Sequence, residues 1–291
     1  LEFHLFLPQM RLAPDALKAR AVAAEASGFD GLALMDHLAP PGALEQPMYE
    51  AFTLATWLAA ATDRLRLGHL VLCDPFRHPA VLARQAVTLD HLSGGRFELG
   101  IGSGSTPAEL ATFGFPAAPA AQRLERLHET LELLTKFWTG EVVDHRGSFF
   151  SVEGARQLPA PLGRIPVVVG GTGAATMELV ARYADWWNVP MHQLDRMAST
   201  RRGAGAARVS VQLLVTLVTD EGKREEVVGQ AGRRFGRMGE GGHLVGSAAE
   251  LIPRVEALRA DGVERIYAWF TDFAPPETLS VFGREVIAAC R

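Results

Sequence analysis

The feature that most limits what this chain can fold into is an alternation, from end to end, of short apolar runs with helix-forming segments. Residues 2–8, 29–35, 65–72, 96–101, 165–169, 184–189, 209–219 and 263–270 read as strands. Between them, 14–27, 49–62, 78–92, 122–138, 173–184, 247–260 and 276–289 read as helices. The clearest is 122–138, which sets Leu124, Leu127, Leu131, Leu134 and Trp138 along one face. Such a series builds a parallel sheet with helices outside it. Strands as apolar as IPVVV or VSVQLLVTLVT belong where both faces are covered. The series predicts an α/β fold, a closed (β/α)8 TIM barrel with short insertions, in preference to an open doubly wound sheet. The 291 residues suit a barrel of roughly 250 residues plus insertions. Residues 1–291 read as one domain. Insertions are expected at 139–163, where Gly and Pro separate short β-like runs, and at 220–242, a charged, Gly-rich stretch that reads as a surface helix.

Composition matters here for what it excludes. A net charge of -4 offers no basic surface for a nucleic-acid partner. No uninterrupted run of about 18 apolar residues is present, so no membrane span is expected. The opening LEFHLFLPQM lacks the basic segment and cleavage site of a signal peptide, and a cytoplasmic location is expected. Cys73 and Cys290, the only cysteines, form no CxxC and no disulfide framework. The nine histidines are scattered and no HExxH occurs, so no metal is expected. Neither a GxxxxGK[ST] loop nor a GxSxG elbow is present.

A barrel carries its active site at the carboxyl ends of its strands. Four stretches lie there: Asp36-His37, the segment Leu70-Val71 to Cys73, Gly102-Ser103-Gly104-Ser105, and Gly170-Gly171-Thr172-Gly173. GGTG directly precedes a helix, so free N–H groups and the positive helix end would face the mouth, an anion site suited to phosphate. GIGSGS lets backbone approach a ligand closely. Ordinary βα turns are the other reading of both clusters. A Rossmann fingerprint fits less well, because Ser105 stands where a small third residue is needed. Asp36-His37 is the acid–base candidate, since imidazole titrates near neutrality and a neighbouring carboxylate tunes it. The other reading has Asp36 capping a turn and His37 packing. Arg77 and His78 read as structural.

Taken together, GFDGLALMDH (28–37), LGHLV (67–71), FRHPAVLARQAVTLDHLSGGRFELGIGSG (76–104), VVVGGTG (167–173) and ADWWN (184–188) resemble the bacterial luciferase-like family of flavin- and deazaflavin-dependent oxidoreductases. The match covers nearly the whole chain. It implies a barrel that binds the deazaflavin F420 or, alternatively, FMN. It implies that His37 lies near the reactive ring with Asp36 as its electrostatic neighbour. Gly102, Ser103 and Gly104 with Gly170, Gly171, Thr172 and Gly173 would hold the phosphate side. Leu70 and Val71 would form a bulge behind the ring, with a non-proline cis peptide and a regular trans strand end both open. The deazaflavin sugar-phosphate dehydrogenases of the family carry glutamate where Ser105 stands and tryptophan where Pro41 stands, so that activity is not expected. Trp186 replaces a common glycine and is expected to narrow the pocket.

Two mechanisms follow from the resemblance. In one, F420 exchanges hydride with a small organic substrate while His37 moves a proton; the arginine-rich basic complement favours this. In the other, reduced FMN and oxygen oxidise the substrate. A flavin-binding barrel without turnover is a third reading. A Schiff-base lyase is disfavoured because Lys18, Lys136 and Lys223 fall away from strand ends. The partner expected is a small-molecule substrate, with a homodimer as the assembly. The pocket-shaping loops 38–48 and 189–208 carry no decodable motif.

Overall fold

The apolar runs become short strands in a computed structural model that describes residues 1–291. In chain order they are β1 (Glu2–Phe6), β2 (Gly31–Leu34), β3 (Arg66–His69), β4 (Leu72–Cys73), β5 (Leu99–Gly102), β6 (Val143–Arg146), β7 (Ser151–Ala155), β8 (Val167–Gly170), β9 (Trp186–Val189), β10 (Arg208–Leu217), β11 (His243–Gly246) and β12 (Arg265–Phe270). The main sheet runs β3-β2-β1-β12-β10-β9-β8-β5-β4. It closes on itself where Leu67 bridges Phe97: Leu67 N–H donates to the Arg96 carbonyl, and Glu98 N–H donates to the Leu67 carbonyl. The predicted barrel is therefore present, with β3 and β4 as two halves of one interrupted stave.

The structure departs from the sequence reading in four places. The run 65–72 is not one strand but breaks at Leu70-Val71, whose peptide is cis. β11 went unread. It pairs with Leu214–Leu217 on the same edge of β10 whose earlier residues, Arg208–Val211, pair with β9, so it extends the wall above β9. A short helix, Pro107–Thr112, occupies what reads as loop. The last helix is α-helical only from Pro276 to Phe282 and continues as a π-helical turn through Ile287. The stretch 139–163 holds the antiparallel hairpin β6–β7, and 220–242 holds the helix Arg224–Phe235.

Strand side chains alternate between two environments. One set, including Leu5, Leu67, Leu99, Val169, Trp187, Val211 and Ile266, packs outward under the helices in the main core. The other set points into the barrel. Phe6, Ala33, Met35 and Tyr267 form a small buried cluster there. Below it, the amino-terminal end is plugged by charge. Arg265 donates to Glu98 at 2.6 and 3.1 Å and to Glu2 at 2.8 Å, and Arg66 donates to Glu98 at 2.5 Å. The Arg265 guanidinium lies 3.7 Å from the Trp186 ring centroid. Burial alone would raise the Glu98 carboxyl, but Arg265, His4 and Arg66 together hold it below the usual carboxylate range. Trp186 thus seals the floor and does not narrow the pocket.

Candidate functional site

At the opposite, carboxyl end the strands converge on a cavity of about 380 Å³. Its wall is set by the glycines of β5. A Cβ on Gly100 would stand 1.8 Å from the His69 carbonyl oxygen, and one on Gly102 would stand 2.8 Å from Val71 Cγ2. These glycines seat the segment His69–Cys73 against β5, so their first role is packing rather than approach to a ligand. Leu70 and Val71 then form an apolar ledge on the cavity wall.

Beyond β5 the chain offers donors. The N–H groups of Gly104, Ser105 and Thr106 have no protein acceptor, and neither do the hydroxyls of Ser103, Ser105 and Thr106, all lining the cavity. Arg123 holds this loop from behind, donating from Nε to the carbonyls of Ser103 and Gly104 at 3.2 Å each.

The second glycine loop lies across the cavity. Gly170 and Gly171 line it, and Gly171 has φ +118°, a conformation that suits glycine. Trp187 Nε1 donates to the Gly171 carbonyl at 2.7 Å, and Gly171 N–H donates to the Asn188 carbonyl at 3.0 Å, so β9 fixes this turn. Thr172 and Gly173 sit one step back from the lining. The Thr172 hydroxyl donates to Gln193 Oε1 at 2.8 Å, and Gln193 itself lines the cavity. Gly173 is the N-cap of the helix Ala174–Tyr183 and no side chain caps it. The first-turn N–H groups therefore lack intrahelical partners and carry the positive helix end.

His37 and Asp36 both line the cavity, but they do not act on each other. Asp36 is buried and bound to Arg77 through both oxygens, at 2.5 and 3.0 Å, and it accepts the Cys73 N–H at 2.8 Å. The expectation that Asp36 is the electrostatic neighbour of His37 is corrected: that carboxylate is Glu109. Glu109 Oε2 lies 2.8 Å from His37 Nδ1, while Oε1 accepts the N–H groups of Leu38 at 2.7 Å and Ala39 at 3.2 Å. A carboxylate acceptor requires the hydrogen on Nδ1 and leaves Nε2 outside this pair. Cys73, also on the wall, keeps its thiol protonated at neutral pH, because burial and the nearby Asp36, Asp74 and Glu109 push it up to about 12.

Sequence reasoning did not find Glu109, Thr106, Asn188, Pro190, His192, Gln193 or Gln212, all of which line the cavity. Glu109 carried a faint signal, an acidic residue two positions after Pro107 in a helix-opening pattern. Asn188 stood in the ADWWN motif and Gln212 inside an apolar strand run, neither with a role attached, and the others carried no signal beyond their place after strands.

The sequence pattern described as luciferase-like monooxygenase matches residues 1–225. An uncharacterised protein of Mycobacterium tuberculosis is 34% identical over 199 residues, which cover 61% of this chain and 67% of that protein. An F420-dependent glucose-6-phosphate dehydrogenase of the same organism is 34% identical over 212 residues, covering 69% of this chain but 62% of the dehydrogenase. The chain thus spans less than two thirds of that relative. Among solved structures, an F420-dependent secondary alcohol dehydrogenase in complex with an F420-acetone adduct superposes with a TM-score of 0.84 at 18% identity, covering 100% of this chain and 99% of the other. A monooxygenase from Streptomyces bottropensis gives 0.80 at 20% identity, with both chains covered at 100%. Likeness at that identity is one of fold. The match across three quarters of the chain carries more: this protein belongs to the luciferase-like monooxygenase family.

Proposed function

We propose that this protein is an F420-dependent oxidoreductase of small organic substrates, with His37 as the proton-transfer residue and Glu109 as its partner. The observation that carries the reading is the His37–Glu109 pair on the wall of a cavity that also offers unpartnered donors. The residues suit a flat ring bearing a phosphate. The ledge of Leu70 and Val71 gives a ring an apolar face to rest on. The Ser103 hydroxyl and the Gly104 N–H, on the loop that opens at Gly102, are free to take an anion, and Gly170, Gly171, Thr172 and Gly173 would lead it to the positive end of the helix that follows. When bound, the deazaflavin supplies a ring carbon that gives or accepts hydride.

The chain supplies the rest. His37 Nε2 takes the proton of a substrate hydroxyl in the oxidative direction and returns it in the reductive one. Glu109 accepts from Nδ1, fixes the ring orientation and balances the positive charge that develops on the imidazole. Asp36, tied to Arg77 and to the Cys73 N–H, holds the end of β2 against the 70–73 segment. The F420-dependent relatives support this choice of coenzyme. FMN is the alternative, supported by the monooxygenases among the structural neighbours; it would supply reduced flavin for reaction with oxygen. A barrel that only carries a flavin has no use for a histidine pinned by a carboxylate.

A fluorescence titration against F420 and FMN tests the proposal. Saturable F420 binding at least tenfold tighter than that of FMN is expected. Preference for FMN transfers the reading to the monooxygenase mechanism, and binding of neither contradicts both.

A further inference from the structure

Side chains of β10 alternate. Val209, Val211, Leu213, Val215 and Leu217 pack outward in the main core, which turns Ser210, Gln212, Leu214 and Thr216 into the barrel. Two of the three polar residues in the inward set are paired inside the protein. Ser210 Oγ lies 3.2 Å from both the Trp187 carbonyl and Asn188 Oδ1. Thr216 Oγ1 lies 2.7 Å from His243 Nε2 and 2.9 Å from Thr271 Oγ1. Gln212 is the exception. It is half-buried and lines the cavity, and neither end of its amide has a protein partner.

Asn188, on the neighbouring strand β9, also lines the cavity and is only 4% exposed. Its carbonyl accepts the Gly171 N–H at 3.0 Å, and its Oδ1 accepts from Ser210. The side chain is thus held from behind, and Nδ2 has no protein acceptor. Ser210 is the register partner of Asn188. Gln212 therefore stands one strand over and two residues nearer the mouth, about 8 Å away between Cα atoms by strand spacing and rise. One small planar group fits between the two amides. β10 is the fourth stave from the interrupted β3/β4 stave in both directions, so the pair stands across the cavity from the Leu70–Val71 ledge.

We infer that Asn188 and Gln212 bind a neutral amide or imide edge, a carbonyl next to an N–H. Asn188 Nδ2 only donates, whereas Gln212 offers both a donor and an acceptor. A ligand carbonyl takes the donors, and its N–H gives to Gln212 Oε1. A carboxylate would use the NH2 groups alone and leave Oε1 facing a negative charge, at the cost of an unmade hydrogen bond. The edge has two sources. It is the C(=O)–NH–C(=O) edge of the deazaflavin, in which case the inference rests on the coenzyme reading above, or it is a like edge of the substrate.

Saturation-transfer NMR tests the pair with 1-methyluracil, which keeps the edge, and 1,3-dimethyluracil, whose N–H is blocked; benzoate tests a carboxylate. 1-Methyluracil is expected to bind about fivefold more tightly than the dimethyl compound, the worth of one neutral hydrogen bond, and more tightly than benzoate. Gln212→Leu should abolish that preference, and Gln212→Met takes its place if the leucine variant does not fold. A fluorescence titration of F420 and its N3-methyl derivative separates the sources. If the edge is the coenzyme's, methylation weakens binding about fivefold in the parent but not in Gln212→Leu, and F420 displaces 1-methyluracil. If it is the substrate's, methylation changes nothing and 1-methyluracil binds beside saturating F420. Equal binding of the two uracils, a preference that survives in Gln212→Leu, or tighter binding of benzoate overturns the inference. The two readings fail separately. A protein that ignores F420 yet prefers 1-methyluracil keeps the amide pair and loses the coenzyme. One that binds F420 without telling the uracils apart does the reverse.

Discussion

The two ends of the barrel are built from the same strands and treat polar groups in opposite ways. Glu98, just before β5, lies at the floor and Gly102, the last residue of β5, at the mouth; β9 carries Trp186 at the floor and Asn188 at the mouth. At the floor, Arg265, Glu98, Glu2 and Arg66 satisfy one another, and Trp186 covers them. At the mouth, the hydroxyls of Ser103, Ser105 and Thr106 and the N–H groups beside them are left without protein partners. Buried charge is tolerable only when paired, because desolvation is costly. Groups near water can wait for a ligand. On the proposed function, stability lies at one end and binding at the other.

The largest expected effect comes from breaking the floor. Glu98→Gln leaves Arg265 short of its bidentate partner and should cost about 3–5 kcal/mol, the range for a buried ion pair stripped of one member. Urea unfolding measures it, and F420 affinity of the folded fraction should stay unchanged. Altered affinity at full stability would erase the division between the ends. Next is His37→Ala, which should lower turnover about a hundredfold or more while leaving unfolding free energy within about 0.5 kcal/mol.

Gly100→Ala sits where wall and site meet. Its Cβ would press on the His69 carbonyl, so about 1–3 kcal/mol of stability should be lost. Coenzyme affinity should fall with it, because the Leu70–Val71 ledge is displaced. Gly173→Asp separates binding from stability most cleanly. Gly173 has φ -70°, and a Cβ there would meet only Thr176 Oγ1 at an ordinary 3.8 Å, so aspartate can cap the helix. Thermal stability should hold or rise, while F420 affinity drops about tenfold as the new carboxylate takes the anion's donors. A variant that binds as tightly as the parent removes the helix end from the anion site.

The smallest effect is a pH slope. Burial lowers the His69 imidazole to about 4, and its ring nitrogens have no hydrogen-bond partner. Because the folded form resists protonation, the unfolded chain binds the proton first. Stability contributed here is whole above about 6.5 and is lost as pH falls towards 4. His69→Leu should flatten the melting-temperature profile over that window, and an unchanged slope would assign the acid sensitivity to other groups.

How much of this was legible in the sequence follows from the range of the interactions involved. Most of the strand and helix order and both glycine loops are local patterns and could be read, whereas the bulge at Leu70–Val71 was implied only by the family resemblance and local pattern gave one unbroken strand. β11 could not, because HLVG is four residues without alternation, beside a glycine-rich stretch. Asp36 was assigned to His37 because they are neighbours in sequence. Successive residues leaving a strand point in different directions, and each found a distant partner: Arg77 for one, Glu109 for the other. Trp186 was misread for the same reason, since its parity in β9 sends it to Arg265 while Trp187 reaches Gly171. A contact 72 residues away, such as His37 with Glu109, has no trace in local periodicity.

The most direct test of the central claim is a crystal structure of the protein with F420 bound. The account predicts the ring against Leu70 and Val71, with His37 at the ring's edge. It also predicts a coenzyme phosphate within hydrogen-bond distance of N–H groups at Gly104–Thr106 or at the first turn of the helix Ala174–Tyr183. A ring that touches neither Leu70 nor Val71, or a phosphate held elsewhere, would contradict it.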